Sequence, residues 1–82
     1  MKLPIIRQLY QSQTVENLEA TLEVLESFTE FRGANDEELN VAGELITNIC
    51  GALEVHQNVK DGMVEKDALN SFAQKVMGSI DR

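Results

Sequence analysis

Apolar residues recur along this chain at helical intervals, with polar positions filling the gaps. Ile5, Ile6, Leu9 and Tyr10 share one face of a short helix of about two turns. Pro4 suits its first turn, where a missing N–H has no helical partner to lose. The polar run Gln11-Ser12-Gln13-Thr14 interrupts this helix, and the Thr14 hydroxyl is placed to cap the next. Val15, Leu18, Leu22 and Leu25 then alternate steps of three and four, a seam for another helix. Ala20, Val24, Phe28 and Phe31 extend the apolar surface around it. This spacing predicts a second helix over 15–32, closed at Gly33 as a left-handed C-cap.

Asn35 followed three residues later by Glu38 has the form of a capping box. Asp36, Glu37 and Glu38 put negative charge where the helix dipole favours it. A third helix, the longest, is predicted over 36–60, with Gly62 at its end. A fourth, over 65–79, carries Leu69, Phe72, Ala73, Val76 and Ile80 along one face. Sustained alternation, the mark of a strand, is absent. The expected fold is all-α, a compact antiparallel bundle of three main helices plus a short N-terminal helix. It forms one domain over 1–82, undivided by repeats, low-complexity tracts or linkers.

The third helix is unusually apolar. At about 100° per residue, Leu39, Val41, Ala42, Leu45, Ile46, Ile49, Cys50, Ala52 and Leu53 fill roughly half its circumference. Glu44, Thr47, Asn48, Gly51, Glu54 and Asn58 take the rest. A surface helix needs an apolar stripe only somewhat wider than ~100°, so packing on more than one side is expected. Gly43 and Gly51 each cost about 1 kcal/mol of helix stability relative to Ala, which predicts close approach of a neighbouring backbone.

Size makes that excess matter. A domain of 82 residues hides only roughly 60 to 65% of its unfolded surface, and domains so small often lean on disulfides, metals or oligomerisation. Cys50 is the one cysteine and His56 the one histidine, so an internal disulfide and a Cys/His zinc cage are excluded. Oligomerisation remains. The face expected to carry it is Leu45, Ile49, Leu53 and His56, with a homodimer as the favoured assembly.

Charge narrows the partners. Seven basic residues stand against fourteen acidic ones, for a net charge of −7. Phosphate backbones and anionic membrane surfaces are gripped by Lys and Arg, so neither nucleic acid nor a membrane is expected as partner. No apolar run is long enough to span a bilayer. The Met1–Arg7 stretch lacks the apolar core of a signal peptide, and a lone thiol fits a reducing compartment; a cytoplasmic location is expected. Glu16, Glu19, Glu23, Glu26 and Glu30 form a narrow stripe on the second helix, with no cation among them. Such a stripe serves solubility, or docks a basic partner or Arg7, Lys60, Lys66 or Lys75 of a neighbouring subunit.

The chemistry-bearing residues form no catalytic pattern. Cys50 and His56 lie six apart on one helix, outside the reach a nucleophile–base pair needs; Cys50 is expected to behave as a small buried apolar group. His56, inside the apolar arc, is expected to be hydrogen-bonded at the core edge or, alternatively, to titrate at an interface. The Glu-x-x-His pair of carboxylate metal sites is missing, because Leu53 precedes His56 by three. Neither Asn35–Glu38 nor Asp61-Gly62 matches a calcium loop, and no phosphate cradle or nucleophile elbow occurs. No metal or cofactor is expected.

The segments Gly43 to His56 and Ser71 to Arg82, with the Met1-Lys2-Leu3-Pro4 start, resemble a family of small uncharacterised bacterial all-helical proteins. The resemblance covers nearly the whole chain and implies a free-standing helical protein, with no activity or site residues to carry over. Three functions therefore stand side by side. The first is a non-enzymatic, self-associating interaction protein. The second is an adaptor or regulatory subunit that binds a basic protein through Glu16–Glu30. The third is a small enzyme or ligand-binding protein with its site at a subunit interface, near His56 and Glu44.

Overall fold

The computed structural model describes the backbone of residues 2–80 and the side chains of residues 2–76. Four helices make up the described chain: α1 (Leu3–Ser12), α2 (Val15–Thr29), α3 (Asp36–Lys60) and α4 (Glu65–Ile80). They pack against one another as an all-α bundle with α3 at its centre. The helices α1, α2 and α4 each pack on α3, α1 also touches α4, and among the described residues the backbone of α2 comes close to neither α1 nor α4.

Local chemistry sets the helix ends. Pro4 stands in the first turn of α1. The Thr14 hydroxyl accepts from the Asn17 N–H at 3.1 Å, capping α2. At α3 the capping box is complete: Glu38 N–H donates to Asn35 Oδ1 at 2.8 Å, and Asn35 N–H to Glu38 Oε1 at 3.0 Å. Its other end is a Schellman motif. Gly62, at φ 107°, lets its own N–H reach the Val59 carbonyl while the Met63 N–H reaches that of Asn58, both at 3.0 Å.

The C-terminus of α2 differs from expectation. The helix ends at Thr29, and Gly33 is no left-handed cap, since Gly62 alone has positive φ among the described residues. Thr29 turns its hydroxyl back to the Glu26 carbonyl at 2.7 Å, a local bond that competes with continued helix. Gly33 serves a different purpose: a Cβ there would stand 2.5 Å from the Phe31 ring that lies over it.

The core draws on all four helices. Ile6, Leu18, Ile49, Ala52, Val55, Ala68, Leu69 and Phe72 are buried together, with Leu53, Val59 and Val76 packed against them. On α4 the expected face holds for Leu69, Phe72, Ala73 and Val76, while the side chain of Ile80 lies outside the described residues. Leu18 is the one buried residue of α2.

On α3 the buried face is rotated from the expected arc. Asn48 and Gly51, expected on the polar side, are buried. Asn48 Oδ1 is satisfied by the Lys2 N–H at 3.2 Å. Gly51 leaves room for side chains rather than for a backbone: a Cβ would lie 2.8 Å from both Ile6 Cδ1 and Phe72 Cε2. Gly43 has nothing within 4 Å of such a Cβ, so the close approach expected there does not occur within the chain. Cys50, expected to be buried, is exposed; it sits about 100° round the helix from buried Ile49.

Candidate functional site

The apolar face of α3 is covered mainly along its C-terminal half, and part of it is left open along its N-terminal half. Val41 is 60% exposed and Leu45 44% exposed, both on the N-terminal half of the helix. Opposite them α2 presents Leu25 and Phe28. Together with Ala42 these residues line a groove of about 470 Å³, and Glu37 and Glu38 form its charged edge. The groove exists because α2 meets no helix but α3, so nothing from α1 or α4 closes it. The same α2–α3 hairpin also exposes Val24 and Phe31, at 70% and 62%. Among the charges that line the groove there is no cation.

The four residues expected to form one outward face are divided by the structure. Ile49 is 5% exposed and belongs to the core, and Leu53 is half-buried against it. His56 Nε2 lies 3.0 Å from the Gln13 carbonyl oxygen, and its ring is 4.5 Å from that of Tyr10. Leu45 alone of the four reaches the groove. Hydrophobic periodicity marked the right helix and could not mark the right side of it, because Asn48 and Gly51 turn inward. Leu25, Phe28 and Val41 were counted in the apolar pattern and not singled out. Val41 gave no signal of its exposure, since at about 100° per residue it lies on the wheel between buried Asn48 and Ala52.

The acidic stripe lies where periodicity put it. Glu16, Glu19, Glu23, Glu26 and Glu30 are all exposed, and none makes an ion pair with a described residue. Glu26 faces Cys50. The thiol pKa is raised above its ordinary value, first by burial of part of the group and then by the negative charge of Glu26.

A second cavity, about 370 Å³, lies beside His56 between Val15, Glu19, Leu53, Gln57 and Lys60. Glu44 is not part of it: twelve residues along α3 separate it from His56, about 18 Å of helix rise. Among the described residues no group of three His, Cys, Asp or Glu side chains stands close enough to hold a metal ion. No described helix is long and apolar enough to cross a membrane.

The model of a family of unknown function, DUF6952, matches residues 1–81. The chain belongs to that family. The match takes in all four helices described above. No curated protein and no solved structure matches the chain. The DUF6952 assignment carries no activity, so the groove, the stripe and the cavities are judged on their geometry.

Proposed function

We propose that this member of DUF6952 is a non-enzymatic interaction module that self-associates through the apolar groove between α2 and α3. The groove of Leu25, Phe28, Val41, Ala42 and Leu45 carries the proposal. Val41 and Leu45 support it, as exposed apolar side chains on the groove that a second copy would cover. A net charge of −7 and a single thiol support action inside a reducing cytoplasm, away from nucleic acid and anionic membranes.

Absolute mass in solution, by size-exclusion chromatography with light scattering over a wide concentration range, tests the proposal. A multiple of 9.2 kDa is expected for the native chain. The double variant Val41→Glu/Leu45→Glu should be a folded monomer, because both side chains are already exposed. A native chain that stays monomeric at millimolar concentration would end the proposal. Ile49→Asp cannot serve as this test, since it places a charge in the core and unfolds the chain in either case.

A second reading is favoured by the five exposed carboxylates of α2, which lack ion-pair partners among the described residues. It makes the protein an adaptor for a basic protein docked on Glu16–Glu30. Binding would then fall steeply with salt and be lost in Glu19→Gln/Glu23→Gln/Glu26→Gln. Retained binding in that variant would count against it.

A further inference from the structure

Self-association through a groove is satisfied either by two like surfaces or by two different ones. We propose that the contact is head-to-tail: the acidic-edged groove of one copy receives the cationic surface that α1 and α4 form on the next. The inference rests on the self-association proposed above and supplies its partner surface.

That surface is a cavity of about 350 Å³ lined by Leu3, Pro4, Arg7, Lys66, Leu69 and Asn70. It gathers two of the chain's seven cations on a protein of net charge −7. Arg7 and Lys66 are exposed, and neither makes an ion pair with a described residue. Pro4 and Ile5 of α1 stand exposed beside them, so the cations flank apolar surface.

The groove has the complementary character: apolar walls with Glu37 and Glu38 at the edge. Glu38 is held by the capping box, which fixes one carboxylate in place before any partner arrives. An isologous contact, groove against groove, would bring the four edge carboxylates of two copies into one interface with no lining cation. Like charges so placed are what interfaces avoid, and opposite ones are what they select.

Topology permits the pairing. The two surfaces share no residue and are built from different helices, the groove from α2 and α3 and the cationic surface from α1 and α4. One subunit can therefore engage two neighbours. Contacts of this kind build rings when the rotation closes and open chains when it does not.

Complementation between two broken variants is the test, read by sedimentation velocity with circular dichroism confirming the fold. Val41→Glu/Leu45→Glu removes the groove, and Arg7→Glu/Lys66→Glu removes the cationic surface. Each alone should lose self-association, with dissociation constants raised about tenfold or more. Mixed, they should form a one-to-one complex, since each variant retains the surface the other lacks. Lys60→Glu/Lys75→Glu makes the same change in net charge outside both surfaces and should associate as the native chain does. Native-like association of Arg7→Glu/Lys66→Glu, or a mixture that stays monomeric, would overturn the head-to-tail contact while leaving self-association through the groove intact. Equal weakening in the Lys60/Lys75 control would overturn it too, by assigning the loss to net charge. A monomeric native chain would remove both.

Discussion

His56 Nε2 lies 3.0 Å from the main-chain oxygen of Gln13, and its ring rests on that of Tyr10. The pair joins the C-terminal half of α3 to the junction between α1 and α2, a place where no other described side-chain bond does so. His56→Ala should therefore destabilise the fold by about 1 to 2 kcal/mol, combining a hydrogen bond and a ring contact. For a domain of this size each kcal/mol shifts the melting temperature by roughly 4–8 °C. His56→Gln, which keeps a donor, should lose less. Equal losses in the two thermal melts would show that the hydrogen bond contributes nothing.

Gly51 and Gly43 should respond to alanine with opposite signs. Alanine gains about 1 kcal/mol of helix propensity at either site. At Gly51 the new Cβ would meet Ile6 Cδ1 and Phe72 Cε2 at 2.8 Å, and both side chains are buried with little room to shift. Overpacking of this kind costs about 1–3 kcal/mol, so Gly51→Ala should be net destabilising. Gly43 has open space around it, and Gly43→Ala should stabilise. Urea unfolding of the two variants, compared with the native chain, decides both signs.

Cys50 should be a slow nucleophile despite its exposure. Its pKa is raised by partial burial and then by Glu26, so less thiolate is present near neutral pH than for a free cysteine. Because the folded value lies above the unfolded one, the group's contribution to stability is complete below the unfolded pKa and is lost as pH rises through the folded one. Alkylation by iodoacetamide should be slower in the native than in the urea-unfolded chain. Glu26→Gln should speed it in the native state. If that variant reacts at the native rate, the charge of Glu26 does not act on the thiol.

The helices were legible in the sequence because their ends are local chemistry: Thr14, Asn35 with Glu38, and Gly62 each act within one turn. Gly33 misled because the same residue type serves a left-handed cap in one place and clears a ring in another. The centrality of α3 was also legible, from an apolar arc too wide for a one-sided helix. Its orientation was not. Asn48 turns inward because Lys2, 46 residues away, offers an N–H, and Gly51 because Ile6 and Phe72 press on it. Those partners are set by tertiary contact, which periodicity on a single helix does not contain. The groove inherits the same difficulty, since Val41 and Leu45 share the angular sector of buried Asn48, Ala52 and Ile49 and differ from them only in standing nearer the N-terminal end of α3.

The attachment of α2 by one face alone has a consequence for motion. A helix with Leu18 as its one buried residue and α3 as its one packing partner among the described helices is held along a single seam. It should open ahead of global unfolding, and its amides should exchange with solvent sooner than those of α3 near Ile49 and Val55. A protein seated in the groove would press on Leu25 and Phe28 and hold α2 shut. Slowed deuterium uptake over residues 19–29 would then report occupancy of the groove, so the helix held by a single seam becomes the indicator of a bound partner.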